Sequence, residues 1–300
     1  MMKKKLKRGY EPKPIELSRG VSFALITPMY ILTAAVAILI YGMLPYNMIF
    51  SLLLADLAAT VLIFAFGALF SNASIYDPYW SVAPIVILVG FVIGTDVVLT
   101  PDKLLIFIAV LIWGVRLTVN WAYTFHGTAH EDWRYRMLRK KSGAFYPLVN
   151  LIGIHIVPTL VVFFAILPAV YVIENDEAPK SALYIIFFIT AILSALLQGI
   201  SDCQMHKYRK NRKEPFIRVG LWRYSRHPNY LGEILMWWSV GFYAVSVIGF
   251  EWYSLIGAAI NTVLFLAVSI PMADGRQAKK EGFEEYKRQT RMLLPIKRFK

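Results

Sequence analysis

Long apolar runs separated by short polar ones organise this chain. Eight of them, at about 21–43, 47–70, 80–99, 104–125, 148–173, 182–200, 231–250 and 253–272, approach or exceed the ~20 residues a helix needs to cross a bilayer. Short connections are those of a compact helix bundle. The pattern predicts an all-α, polytopic membrane helix bundle of about eight transmembrane helices, seven being the alternative count. Residues 1–20 are expected to be a basic, flexible cytoplasmic tail (Lys3, Lys4, Lys5, Lys7 and Arg8, then Pro12 and Pro14), and 21–300 a single membrane domain. The first apolar run is long and lacks a small-residue cleavage site, so no cleavable signal peptide is expected. No internal repeat is visible, which weighs against a transporter built from two homologous halves.

Composition agrees with the pattern. The chain is 57% hydrophobic and 15% aromatic over 300 residues, with mean hydropathy +0.52. The single cysteine, Cys203, excludes an intramolecular disulfide and a cysteine metal cluster. The net charge of +13 would point to nucleic acid in a soluble protein, but its distribution says otherwise. Segments 1–20, 126–147, 202–230 and 273–300 hold seven, five, eight and nine Lys and Arg, 29 of the 32 in the chain. With eight spans these segments share one side, which is expected to be cytoplasmic, with both termini there. The opposite loops are short or acidic (Glu174, Asp176, Glu177, Glu251). No nucleic-acid-binding motif accompanies the charge. Anionic lipid headgroups or an anionic ligand are the expected partners. The protein is thus expected to be multi-pass and integral to a membrane: the plasma membrane in a prokaryote, the endoplasmic reticulum in a eukaryote. The C-terminal piece, 273–300, is amphipathic and is expected to lie along the membrane face.

Chemistry concentrates in 218–236, RVGLWRYSRHPNYLGEILM. Arg223, Tyr224, Arg226, His227, Asn229, Tyr230 and Glu233 crowd onto the start of an apolar segment. Ionisable groups are costly there and mark a site. Pro228 suits the first turn of a helix, whose free N–H groups and dipole favour an anion. Arg226 and Arg223 add donors suited to phosphate. Asn229 and Glu233, four apart, share a face. A capped helix start with interfacial anchors explains Tyr224 and Tyr230, but not Arg, His, Asn and Glu arriving together. Before this stretch, a span ends near Gly199 and Gln198, Asp202 and Arg209 share one helical face. Asp202 is placed to pair with Arg209 or to accept hydrogen bonds from an amide or a ribose.

Three further features carry charge. In HGTAHEDWRYRMLR (126–139), His126 and His130 lack a third metal ligand, and Glu131, Asp132, Arg134 and Tyr135 are expected to form an ion-pair network against another loop. Arg116, Asn120 and Tyr123 recur at helical spacing inside a span, and Arg116 needs a partner, for which Asp77 and Glu233 are the candidates. In YDPYWSVAP, Asp77 occupies a turn ahead of a span. Asp77, Tyr76 and Tyr79 are candidate proton donors, while an ordinary Asp-Pro turn is the structural alternative. Near the C-terminus, Arg276 and Tyr286 are placed to cover a cofactor.

These residues resemble the steroid 5-alpha-reductase superfamily, in its prokaryotic-type branch. The resemblance covers roughly 75–297 and rests on YDPYW, WGVRL, HEDWRYRMLR, GLWRYSRHPNYLGE and EEYKRQTRMLLP in that order. The GLW…RHPNYLGE block is also similar to sterol C14 and delta-7 reductases. The resemblance implies a helical membrane reductase that binds NADPH at the cytoplasmic ends of its C-terminal helices. Carried over by motif, Gln198, Asp202 and Arg209 would bind the cofactor, Asn229 and Glu233 would lie on its nicotinamide and ribose side, and Arg226 and His227 near the pyrophosphate. Arg276 is a looser match. Steroid 5-alpha-reductases polarise their substrate with a Glu–Tyr pair in the N-terminal half. Here the tyrosine position falls near Trp113 and no glutamate lies near 75–90, so a 3-keto-steroid is not the expected substrate.

The expected activity is NADPH-dependent reduction of a carbon–carbon double bond in an apolar lipid, sterol-like, isoprenoid or fatty-acyl. A methyltransferase of the isoprenylcysteine or phospholipid type, using S-adenosylmethionine, shares the Arg-His-Pro block. The basic excess favours a cofactor with several phosphates over a sulfonium. The third reading is a non-catalytic lipid-binding protein, against which the one-sided polar cluster argues.

Overall fold

The computed structural model describes residues 15–94 and 97–296; most of the predicted basic tail, including the run at 3–8 and both prolines, lies outside the described residues. The described chain is helical. Its elements are α1 (Arg19–Met43), α2 (Met48–Leu69), a 3-10 turn (Ala73–Tyr76), α3 (Tyr79–Gly94), α4 (Pro101–Thr124), α5 (Trp133–Ser142), α6 (Tyr146–Val149), a π-helix (Asn150–Ile156) running into α7 (Val157–Glu174), α8 (Tyr184–Lys210), a 3-10 turn (Gly220–Arg223), α9 (Pro228–Ile248), α10 (Tyr253–Leu264), a second π-helix (Phe265–Ser269), α11 (Ile270–Gln277) and α12 (Phe283–Gln289). Eight helical runs are long and apolar enough to cross a membrane, matching the predicted eight and fitting a multi-pass integral membrane protein.

Local chemistry sets the ends. The Ser18 and Asn47 side chains accept from Val21 and Phe50 N–H at the starts of α1 and α2. Pro228 occupies the first turn of α9. Helix α8 does not stop near Gly199: it runs 27 residues to Lys210, through the good helix formers Gln204, Met205, Lys207 and Arg209. At 1.5 Å per residue it is ~40 Å long, so roughly 10 Å extends past a ~30 Å hydrocarbon core.

The chain falls into two compact units, one of residues up to Val86 with Trp121–Leu160, the other of Ile87–Asn120 with Val161 onward. In the first, Ala59, Ile63, Ala73, Tyr76, Tyr79, Tyr135 and Ile154 form the main buried cluster. In the second, α9 is central: 72% of its apolar window is buried, against 11% for the peripheral α1 of the first unit. Small residues allow the close approach. A Cβ on Gly232 would meet Gln198 Cγ at 2.5 Å and the Ser194 carbonyl at 2.8 Å, and one on Gly257 would meet the Phe164–Ala165 backbone at 2.3 Å. Apolar lipid gives helices no hydrophobic reason to associate, so such backbone approach carries the packing.

Candidate functional site

The second unit gathers the predicted polar residues at one end of α4, α8 and α9. Glu233 is 5% exposed, and its two oxygens accept from the Trp113 indole at 2.9 Å and the Trp237 indole at 2.8 Å. Neighbouring Arg116 pairs with Asp202 at 2.9 Å and donates a second bond to the Gln198 amide oxygen. This corrects two expectations. Arg116 finds its direct partners in Asp202 and Gln198, not Asp77 or Glu233. Asp202 takes Arg116, and Arg209, on the same helix face, stays exposed. The geometry follows from position: Arg116 reaches across from α4, and its side chain packs 3.5 Å from where a Cβ on Gly199 would stand.

Two polar atoms of this cluster, Arg116 Nε and Asn229 Oδ1, are buried and unpartnered, and the Gln198 amide lies within hydrogen-bonding range of Glu233. Buried polar groups in native proteins are normally satisfied, so such a set calls for a ligand or water. One is a donor and one is an acceptor, the complement of a carboxamide, which accepts at its carbonyl and donates from its NH2. Asn229 lies within one turn of Gly232, against which Gln198 packs.

Asp274 forms a second centre. It receives His227 Nε2 at 2.9 Å and Arg226 Nε at 3.2 Å, while Arg226 also donates to the Thr290 carbonyl at 3.0 Å. The predicted pyrophosphate ligands Arg226 and His227 are therefore already engaged, as an internal clamp. The clamp continues through the C-terminal segment, which packs back against 222–227. Ser225 and Arg291 form a parallel bridge, and Arg226 and His227 N–H donate to the Arg291 and Met292 carbonyls. Tyr286, predicted to cover a cofactor, is buried with Phe216 and Phe283 and donates to the Trp222 carbonyl at 2.5 Å. Burial raises its phenol above the ordinary value, which keeps it a donor. His227 stacks on Tyr230 with centroids 5.1 Å apart. Arg223, beside the Tyr224 ring, and Arg276 are exposed at this end.

The first unit holds the weaker candidates. Tyr79 donates to Asp56 Oδ1 at 2.6 Å. The Thr60 and Thr159 hydroxyls bond at 2.9 Å, and Thr159 meets the Tyr76 hydroxyl at 3.0 Å. Sequence reasoning missed Asp56, although it is the lone acid in the 22 residues of α2 and buried acids in spans are rare. Asp77 does sit in the predicted turn, where it accepts from Tyr135. The predicted ion-pair network forms against the turn at 71–77: Glu131 accepts from Ala73 N–H at 3.0 Å and Arg139 at 2.8 Å, and Asp132 N–H donates to Ser74 Oγ at 2.8 Å. His126 and His130 lie in a loop with rings 5.8 Å apart, and among the described residues no group of three metal-ligating side chains occurs.

Comparison with known proteins adds a relative and a family. An uncharacterised protein of Schizosaccharomyces pombe is 26% identical over 242 residues, covering 72% of this chain and 68% of its own. No solved structure matches the chain. The family model described as "Protein of unknown function (DUF1295)" matches residues 63–290, a stretch that takes in Asp77 and Tyr79, the Arg116–Asp202 pair, the α9 cluster and the Asp274 clamp, and the chain belongs to that family.

Proposed function

We propose that the protein is an NADPH-dependent membrane reductase of the steroid 5-alpha-reductase type, acting on a carbon–carbon double bond in an apolar lipid. One observation carries the reading. The buried Gln198 amide and the unpartnered Asn229 Oδ1 offer the donor and acceptor a nicotinamide carboxamide needs, at the basic end of the second unit. NADPH bound there would supply a hydride. Gln198 and Asn229 would orient the carboxamide, and the Arg116–Asp202 pair would hold Gln198 in register. Glu233, both oxygens engaged, would position the Trp113 and Trp237 indoles as a dry wall. Exposed Arg209, Arg223 and Arg276 would meet the phosphates. The basic face would be cytoplasmic and attract the cofactor from water, while the lipid would arrive laterally from the bilayer.

The hydride forms one new C–H bond, and a proton must reach the adjacent carbon. Within the first unit, Tyr79 is the phenol best set up to give up and take back a proton, buttressed by Asp56, while Asp77 is held by Tyr135. Tyr76 is bound up with Thr159 and the His155 carbonyl.

The test is isotope transfer. The purified protein is incubated with NADPH deuterated at nicotinamide C4, in each stereochemical form, and a total lipid extract. One deuterium appearing in a lipid three mass units heavier than its unsaturated precursor supports the reading. NADPH left unconsumed across sterol, isoprenoid and acyl fractions, with the protein folded, would sink it.

A further inference from the structure

Helix α8 has a second stripe that the proposed cofactor site does not use. Gln198, Asp202 and Arg209 mark one face. Leu193, Leu197, Ile200, Gln204, Lys207 and Asn211 mark another, and at 3.6 residues per turn the two are about half a turn apart. The second stripe lines two adjoining hollows. The first, of about 530 Å³, is walled by Leu193, Leu196, Leu197, Ile200 and Leu221, with Tyr224 at its end. The other, of about 260 Å³, holds Lys207, Tyr208, Asn211 and Lys213. Gln204 lines both. It receives Leu221 N–H at 2.9 Å and lies 2.4 Å from where a Cβ on Gly220 would stand, so only glycine, at φ +59°, allows the 3-10 turn to close the groove against α8.

The stripe is graded along the helix. From Leu193 to Gln204 it is apolar over roughly 16 Å, about one leaflet of a ~30 Å hydrocarbon core. Leu193, Leu196 and Ile200 are more than half exposed. Beyond Gln204 it turns basic, on the part of α8 that outruns the core. Glu214 is the one acid in the basic hollow, against two ammonium groups. Among the described residues Lys207 and Lys213 have no ion-pair partner.

We propose that this face binds an anionic glycerophospholipid of the surrounding bilayer, with an acyl chain along Leu193–Leu221 and the phosphate between Lys207 and Lys213. Tyr208 and Asn211 line the headgroup hollow. The site is distinct from the proposed cofactor site, being on the opposite face of α8, and it stands whether or not the protein reduces a lipid.

The experiment uses the full chain in mild detergent, reading unfolding temperature and lipid retention by native mass spectrometry. Probes are mixed micelles of phosphatidylglycerol or phosphatidylcholine, soluble glycerol 3-phosphate, and NADPH. Phosphatidylglycerol should stabilise more than phosphatidylcholine, and glycerol 3-phosphate should give no shift. Lys207→Gln/Lys213→Gln should weaken phosphatidylglycerol retention about 30-fold, at ~1 kcal/mol per lysine. Leu197→Trp, which fills the groove while keeping both lysines, should lower retention of the lipid as well. Both variants change exposed or groove-lining side chains, and their lipid-free unfolding temperatures report folding. Equal stabilisation by the two lipids, an equal shift with glycerol 3-phosphate, or phosphatidylglycerol retention unchanged in both variants would overturn the proposal. Displacement of phosphatidylglycerol by NADPH would overturn it too, assigning the hollow to the cofactor.

Discussion

Asp56 and Asp202 are both acids within membrane-crossing helices, yet they are partnered in opposite ways. Asp202, in the second unit, faces the Arg116 guanidinium at 2.9 Å. Asp56, in the first unit, faces the Tyr79 phenol at 2.6 Å, beside the hydroxyls of Thr60, Thr159 and Tyr76. A guanidinium holds a fixed charge and cannot give up its proton at physiological pH. A phenol can donate a proton and take one back. The first arrangement suits an electrostatic anchor that orients a ligand, and the second suits proton transfer. Buried ionisable groups therefore do not form one class: the partner decides what the acid can do.

The largest expected effect breaks the anchor. Arg116→Met leaves Asp202 buried without a counter-charge, which should cost ~3–5 kcal/mol of stability. Adding Asp202→Leu should restore much of it, because an apolar pair leaves no orphan charge. Thermal unfolding of the two variants checks this, and the comparison fails if Asp56→Asn, which keeps an acceptor for Tyr79, is as damaging as Arg116→Met. Next comes Tyr79→Phe. If the phenol is the proton donor, turnover should fall ~100-fold or more with NADPH binding intact, read by deuterium incorporation and cofactor titration on one preparation. Loss of NADPH binding instead would assign Tyr79 a structural role. Gly257→Ala ranks third, since its Cβ would meet the Phe164–Ala165 backbone at 2.3 Å. It should cost ~1–3 kcal/mol, and an unchanged unfolding temperature would show that α7 and α10 pack less tightly than described. The smallest effect is that of Tyr286→Phe, which removes the bond to the Trp222 carbonyl, ~1 kcal/mol. Because burial raises the Tyr286 phenol, the wild-type advantage should be full below pH ~10 and lost as pH rises through the higher folded value.

Much of this was legible in the chain because membrane spans announce themselves by length and hydropathy. The eight runs came out within a few residues, apart from the extension of α8 to Lys210. Periodicity also placed Gln198, Asp202 and Arg209 on one helical face, and Arg116 on a face with Asn120 and Tyr123. What sequence could not give was partner choice. Arg116 had several acids within conceivable reach, and only the packing of α4 against Gly199 selects Asp202. Nothing local reveals that Asp274, 47 residues on from His227, returns to take both Arg226 and His227. Asp56 was the avoidable omission, an acid alone in an apolar helix. Its pairing with Tyr79 puts a carboxyl and a phenol in contact.

The most direct measurement of the central claim is cofactor binding by the detergent-purified protein, read as a shift in unfolding temperature with NADPH, NADH and S-adenosylmethionine. A ligand that binds only the folded state stabilises it by mass action, about 2.7 kcal/mol at a hundredfold excess over Kd. The account predicts a shift with NADPH that Asn229→Ala abolishes while the variant's ligand-free unfolding temperature holds. A shift with S-adenosylmethionine and none with NADPH would contradict it, and would make the buried cluster of α4, α8 and α9 the site of a methyltransferase.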